Sequence, residues 1–395
     1  MAKKTVRDID WKGKRALVRV DFNVPFERGS TRISDDIRIR EALPTIAHLR
    51  EQGAAVVLCT HLGRPGGERN PDIELGPVAE RLSELLAAPV TYVHDAPGPE
   101  ALAAAQALGA GEVLLLENIR FWPGEEANDA DFARSLAGLA DAYVNDAFGT
   151  AHRAHASTEG VAHHLPAVAG LLLEKELRFL GGALDDPKRP LSALMGGAKV
   201  SDKLKVLQRL IGHAEHIFVG GGMAATFLKA KGLGIGASLL EEPMVTECAG
   251  LLERAGGAGT TLHLPTDAVI AQKLEKGVPT QTVNVDAVPE GWMILDIGPR
   301  TAQDFAERLR AMGTIVWNGP MGVFEVPPFD AGTRVVADAV AGSGAVSIIG
   351  GGSTAEVVGH LGLAAHMTHV STGGGASLEF LEGRVLPGVA ALNDA

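Results

Sequence analysis

The sequence predicts an α/β protein of two domains built on parallel sheets, and three observations carry that prediction. Short runs of aliphatic and β-branched residues alternate with longer helical patterns along the whole chain, the pattern of strand–crossover–strand units. At 395 residues the chain exceeds one ordinary core and suits two domains of about 200 residues each. Hydrophobic residues make up 46% and charged residues 21%, with 49 glycines against 12 phenylalanines and 2 tyrosines. Such a composition builds a core from aliphatics and reserves glycine for turns and close backbone approaches.

In the first half the strand-like runs are Ala16–Val20, Ala54–Cys59, Val113–Leu116 and Ala142–Val144. Helical patterns at Pro77–Ala87 and Asp131–Leu139 fall between them, and Asp129 and Asp131 place carboxylates where a helix start favours them. Apolar spacing predicts one helix over Leu165–Leu184, weakened at Gly181-Gly182 and ended by Asp185-Asp186-Pro187. The domain boundary is placed on this helix, giving a first domain over 1–170, a joining helix over 171–186 and a second domain over 187–383. Strand-like runs in the second half are Leu191–Leu194, His216–Val219, Thr261–Leu264, Trp292–Leu295, Thr314–Trp317, Ala345–Ile349 and His369–Ser371. No repeat with a period of about 20–50 residues is present, which excludes a solenoid.

The formal net charge of −12 argues against a nucleic-acid surface, yet leaves room for a local basic cluster that takes a small anion. Two cysteines, Cys59 and Cys248, make no disulfide framework and fit a reducing compartment. The segment Met1–Lys14 is charged, without the apolar stretch of a signal peptide. The apolar run at Leu165–Leu173 is far shorter than the roughly 20 residues of a membrane span. The expectation is a cytoplasmic protein with no membrane partner.

Open parallel sheets bind ligands beyond the carboxyl ends of their strands. In the first half those ends carry Asp21-Phe-Asn23, His61-Leu-Gly-Arg64, Glu117-Asn118-Ile-Arg120, and Asn145-Asp146 running on to His152, Arg153 and His155; Arg38 follows the first strand. A single arginine there reads as a solvated surface residue. Four strand ends that all bring Arg or His read as a site for a small polyanion, since guanidinium forks match phosphate and carboxylate oxygens. Asp21 and Asn23 are then available to a hydroxyl. A metal site on His152 and His155 is the weaker reading, with no Cys nearby.

The second half ends its strands in Gly196-Gly197-Ala-Lys199, Gly220-Gly221-Gly222, Asp296-Ile-Gly298-Pro299, Asn318-Gly319-Pro320, Gly350-Gly351-Gly352 and Gly373-Gly374-Gly375. Glycine lets backbone N–H groups approach an anion, and Ser353-Thr354 and Ala376-Ser377 open apparent helices beside two of these loops. Tight turns alone would also explain the glycines. Lys199 and Lys203 are spaced to share a helical face next to the first loop. There is no G-x-x-x-x-G-K-[ST] stretch; Gly220–Ala225 and Gly350–Ala355 do fit the looser dinucleotide pattern G-x-G-x-x-A, which leaves a nicotinamide-dependent dehydrogenase as a rival reading.

With these residues assembled, the chain resembles the phosphoglycerate kinase family along nearly its whole length. The resemblance is carried by RVDFNVP at Arg19–Pro25, HLGRP at His61–Pro65, LLENIRF at Leu115–Phe121 and VNDAFGTAHRAHAS at Val144–Ser157. It continues in GGAKVSDK at Gly196–Lys203, GGGMAATFLK at Gly220–Lys229, WNGPMGVFE at Trp317–Glu325 and STGGGASLEFLEG at Ser371–Gly383. It implies two Rossmann-like three-layer domains facing across a cleft and joined by a central helix, with a tail over about 384–395 returning to the first domain.

The implied activity is reversible phosphoryl transfer between 1,3-bisphosphoglycerate with ADP and 3-phosphoglycerate with ATP, in glycolysis, by a monomer using Mg2+. The resemblance places 3-phosphoglycerate on Asp21, Asn23, Arg38, His61, Arg64, Arg120 and Arg153. It places the nucleotide on Lys203, Gly221, Asn318, Pro320, Glu325, Gly350, Gly351, Gly352, Ser353 and Thr354. Transfer would fall to Arg38, Lys199, Lys203, Gly374 and Gly375. One departure concerns the metal: the family usually has Asp after the third glycine of the Gly350–Gly352 loop, and this chain has Ser353. The acceptor is a carboxylate, already ionised at neutral pH, so no general base is needed.

Overall fold

A computed structural model describes residues 3–395. The chain divides into two compact units, one formed by Met1–Arg178 with Val385–Ala395 and the other by Phe179–Arg384.

In the first unit six strands run parallel: β1 (Arg15–Arg19), β2 (Ala55–Cys59), β3 (Val90–Tyr92), β4 (Val113–Leu115), β5 (Ala142–Asn145) and β6 (Ala167–Ala169). Their order is β3-β4-β2-β1-β5-β6. The chain leaves β1 on one side for β2 and later returns to its other side as β5, so β1 stands at the switch point where such sheets bind ligands. β2 and β5 are buried along their whole length, which is why they read as unbroken apolar runs. Helix Gly76–Leu86 presents Val78, Ala79 and Leu82 to the same core as Val56, Leu58 and Val144. Helix Ala130–Ala137 is capped by Asp129, whose side chain accepts from the Asp131 and Phe132 N–H groups, worth about 1 kcal/mol.

The second unit holds a parallel sheet of β7 (Leu191–Met195), β8 (His216–Val219), β9 (Thr261–His263), β13 (Thr314–Asn318), β14 (Val346–Gly350) and β15 (His369–Val370), in the order β15-β14-β13-β7-β8-β9. Its switch point lies between β7 and β13. A separate antiparallel sheet, β11-β10-β12, is formed by β10 (Asp267–Ala271), β11 (Gln281–Asn284) and β12 (Met293–Ile297). The C-terminal segment binds the first unit: Asn393 Oδ1 accepts from Ala167 N at 2.8 Å, and Asn145 Nδ2 donates to Gly388 O at 3.0 Å.

Three expectations are corrected. The helix expected over Leu165–Leu184 runs Leu171–Asp185, because the residues after Pro166 extend into β6 and pair with β5. Its first turn is capped from β5, with Asp146 Oδ1 accepting from Leu172 N at 2.9 Å. Lys199 and Lys203 do not share a helical face: Lys199 lies in irregular backbone, residues 201–203 form a turn, and the helix begins at Leu204. The strand around Trp292–Leu295 belongs to the antiparallel sheet, so Asp296-Ile-Gly298-Pro299 is no end of a parallel strand. Asp296 is buried there, its Oδ2 accepting from Gly332 N at 2.8 Å, and burial pushes its carboxyl up to about 8.

Candidate active site

In the first unit the ends of β1, β2 and β4 are tied together by short polar contacts. Arg38 sits in the first turn of helix Ile37–Glu51, and its Nη1 donates to Asp21 Oδ2 at 2.5 Å. Asp21 Oδ1 lies 3.9 Å from His61 Nδ1 and is buried without a hydrogen-bond partner. Asn23 Oδ1 accepts from Gly63 N at 2.9 Å, and Gly63 O accepts from Arg120 Nη1 at 2.9 Å. Asn118 brackets the β2 and β4 loops, with Oδ1 accepting from Leu62 N and Nδ2 donating to Leu62 O at 2.8 Å. Arg64 is exposed and Arg153 is half-buried.

The electrostatics of this rim call for an anion. His61 is buried, and burial first, then Arg19, Arg120, Arg38 and His155, drives its pKa well below the ordinary histidine value. Arg120 is also buried; burial and then Arg19 lower its pKa, opposed by Glu126 and further lowered by Arg153. Cations that repel one another at the mouth of a sheet are stabilised when an anion arrives. His155 is buried, with Nδ1 lying 3.7 Å from Glu125 Oε1. No grouping of His152 and His155 with further metal-ligating side chains occurs among the described residues.

In the second unit the glycine loops pack backbone on backbone. Gly196 N donates to Asn318 O at 3.0 Å, Gly197 N to Pro320 O at 3.1 Å, and Gly221 N to Met321 O at 2.8 Å. A Cβ on Gly196 would overlap the Pro320 carbonyl oxygen, and one on Gly319 would overlap the Gly196 carbonyl. Lys203 is buried beside Asn318, to whose Oδ1 its ammonium donates, while Asn318 Nδ2 has no partner. Burial pushes Lys203 down to about 8. Gly350 ends β14, Gly351 takes the left-handed conformation at φ 86°, and helix Gly352–His360 follows. Ser353 and Glu356 are exposed on that helix. Thr354 is buried, its hydroxyl accepting from Gly319 N at 2.7 Å, so it clasps the β13 loop to this helix. Lys199 and Glu325 are exposed, and Gly374 precedes helix Gly375–Leu381.

A family model described as phosphoglycerate kinase matches residues 6–384. Phosphoglycerate kinases of Herpetosiphon aurantiacus and Chloroflexus aggregans are each 56% identical to this chain, with 100% of both sequences covered. The chain belongs to the phosphoglycerate kinase family. Solved structures agree: the phosphoglycerate kinase of Coxiella burnetii aligns with TM-score 0.90 at 42% identity, covering 98% of each chain. That of Pyrococcus horikoshii aligns with TM-score 0.84 at 33% identity, covering 99% of this chain and 98% of the other. The family's activity, ATP-dependent phosphoryl transfer to the carboxyl group of 3-phosphoglycerate and its reverse, is this chain's activity. The dehydrogenase reading of the two G-x-G-x-x-A stretches falls with that result.

Seen as a phosphoglycerate kinase, the chain has supporting residues that sequence reasoning did not single out. Arg19, Ser157 and Glu125 form a buried polar group beneath the first unit's rim. Glu241 holds the loop between the two lysines, accepting from the Val200 and Ser201 N–H groups and the Ser201 hydroxyl. Burial raises the Glu241 carboxyl, but those bonds from Ser201 and Val200 outweigh it and the net pKa is lowered. Each partner lies far away in sequence, so only the charge of Arg19 inside a buried strand signalled such a need.

Proposed function

We propose that the two units divide the substrates: the first (1–170 with the tail) binds 3-phosphoglycerate and the second (187–383) binds ATP or ADP. The observation that carries this is the contrast in their strand ends, a cluster of mutually repelling cations in one and glycine loops beside a buried lysine in the other. His61, Arg64, Arg120 and Arg153 take the 3-phosphate, Asp21 and Asn23 the hydroxyl end, and Arg38 the carboxylate that is phosphorylated. Lys203, Gly221, Asn318, Pro320, Glu325 and Gly350–Thr354 serve the nucleotide. Lys199, Gly374 and Gly375 serve the moving phosphoryl.

The chemistry is direct in-line transfer. The acceptor carboxylate is already ionised, so the enzyme's task is alignment and stabilisation of charge on the phosphoryl oxygens. Arg38 and the two lysines supply positive charge, and the first-turn N–H groups of helix Gly352–His360 add donors that need no reorganisation. Because the two substrate sites belong to different units, hinge closure must bring them together and exclude water before transfer.

For Mg2+, the donor set at Gly350–Thr354 is one exposed hydroxyl, Ser353, with no carboxylate in the loop itself. Such a set fits an ion carried by the nucleotide's phosphates, with Ser353 as a neutral ligand. Bound there, the ion would neutralise charge on the phosphates. A cytoplasmic monomer is proposed on the family resemblance alone; Cys59 and Cys248 are buried and unpaired, and no helix among the described residues is long and apolar enough to cross a membrane.

Calorimetry on separate ligands tests the division. Arg120→Ala weakens 3-phosphoglycerate binding by about 10- to 100-fold, as expected for a lost charge-assisted contact, and leaves ADP binding unchanged. Lys203→Met does the reverse. Equal losses for both ligands in either variant would overturn the assignment.

A further inference from the structure

Arg19 ends β1 and is fully buried, on a strand whose interior is otherwise apolar. Its guanidinium reaches three acceptors: Nε donates to Ser157 Oγ at 2.7 Å, Nη1 to Val20 O, and Nη2 meets His61 Nδ1 at 3.2 Å. Beyond Ser157 the chain of contacts continues, because Ser157 Oγ donates to Glu125 Oε1 at 2.6 Å. Glu125 is fully buried and also accepts from Ser157 N at 2.9 Å. No carboxylate lies within ion-pair reach of Arg19 among the described residues, so Glu125 balances its charge through the serine.

The direction of every bond in this chain is decided by chemistry. A guanidinium has only donors and keeps its proton. His61 Nδ1 must therefore offer its lone pair to Arg19, which leaves the ring proton on Nε2. The Ser157 oxygen likewise accepts from Arg19, so its one hydrogen goes to Glu125. We propose that Arg19 is a positioning residue that locks His61 as the neutral Nε2–H tautomer, so that the imidazole presents a fixed N–H donor to the anionic group of 3-phosphoglycerate. The second half of this proposal rests on the placement of His61 at that substrate; the first half does not.

The lock removes a source of pH sensitivity. Histidine ordinarily changes charge between about pH 5 and 8. His61 faces Arg19 on β1, Arg38 on the following helix, Arg120 beyond β4 and His155 beyond β5, and Asp21 is the acid within ion-pair reach of it among the described residues. Burial and the arginines keep the ring neutral, and the substrate contact stays that of a neutral donor while the arginines supply the charge.

Ring 15N spectra decide the matter on the unaltered, ligand-free enzyme, with the His61 signals identified by their loss in His61→Asn. The expected result is an unprotonated Nδ1 and a protonated Nε2, unchanged from about pH 5.5 to 8. A protonated Nδ1, or titration to imidazolium in that interval, overturns the lock. Adding 3-phosphoglycerate should shift the Nε2–H signal. A locked tautomer with no such shift removes His61 from the substrate and overturns the second half alone.

In Arg19→Met, checked for folding by its melting curve, His61 should sample both neutral tautomers, since burial and the remaining arginines still disfavour its charged form. KM for 3-phosphoglycerate should rise about 10-fold with KM for the nucleotide unchanged. A rise in both constants together would mark Arg19 as merely structural. If that variant does not fold, the spectrum of the unaltered enzyme still settles the lock.

Discussion

Arg38 Nη1 and Asp21 Oδ2 form an ion pair at 2.5 Å, joining two residues assigned to different ends of one substrate. The pair spans the β1 loop and the helix after it, and its partners are 32% and 12% exposed. An arginine that keeps about a third of its surface in water contributes only modestly to stability through such a pair. On the proposed assignment, its value lies in holding the guanidinium beside the position of the reacting carboxylate. Arg38→Ala should therefore melt within a few degrees of the parent and lose turnover on the order of 100- to 1,000-fold, the scale of a lost transition-state donor. Arg38→Lys, which keeps the charge and loses the planar fork, should fall between them. Near-normal turnover in Arg38→Ala would take this residue out of the mechanism.

If Lys203 serves the nucleotide as proposed, it should set an alkaline limit on nucleotide use. Burial lowers its pKa to about 8 in the free enzyme. As pH rises through that value the ammonium is lost, and with it the charge offered to the nucleotide. The dependence of kcat/KM for the nucleotide on pH should fall above about 8, since that ratio reports the free enzyme. The sign for stability is the opposite. A lysine with a depressed folded pKa destabilises the fold while charged, so stability should increase from about pH 8 towards 10. Lys203→Arg should lose activity through poor fit and also lose the alkaline limb; a limb that persists unchanged in that variant would assign it to another group.

The ends of the parallel strands were legible because each carries its chemistry in a contiguous stretch. His61–Pro65 or Asn318–Pro320 announces both a turn and a charge or glycine pattern within a few residues. What was illegible lies at longer range. Asn118, Glu125, Ser157 and Glu241 act through bonds to loops 32 to 56 residues away, and no local spacing encodes that. β3 and β6 are only three residues long, too short to show a period. β11 is polar and mostly exposed, so its strand character comes from pairing with β10 rather than from burial. The misplaced β12 follows from the same blindness: its own run is apolar, and only its antiparallel partners separate it from the parallel sheet. Lys199 and Lys203 kept helical spacing without helical structure, because Glu241 captures the Val200 and Ser201 N–H groups ahead of the first turn.

Gly196 tests whether the backbone contact between the β7 and β13 loops matters. A methyl group there would overlap the Pro320 carbonyl, backbone that cannot rotate away. Gly196→Ala should cost about 1–3 kcal/mol in urea unfolding and raise KM for the nucleotide more than KM for 3-phosphoglycerate. Gly250, in helix Val245–Gly257 with open space around it, is the contrast. Gly250→Ala should stabilise by about 0.5–1 kcal/mol and leave both constants alone. Tolerance of alanine at Gly196 equal to that at Gly250 would mean that the two loops can separate without consequence.

Ser353 gives the sharpest test of the proposed Mg2+ site. It is exposed on the first turn of helix Gly352–His360, beside Gly351 with its left-handed backbone. A hydroxyl can ligate Mg2+ but adds no charge, so the phosphates must supply most of the attraction. Ser353→Asp places a carboxylate at the same point, where the start of the helix also favours a negative group. The variant should reach half-maximal activity at a lower Mg2+ concentration, by about 5- to 10-fold if the added ligand contributes about 1 kcal/mol or slightly more. Glu356 is exposed one turn further along the same helix. If it already completes the coordination, Glu356→Gln should raise the Mg2+ requirement of the parent and not that of Ser353→Asp. Coincident Mg2+ titrations for the parent and Ser353→Asp would show that this position does not touch the metal.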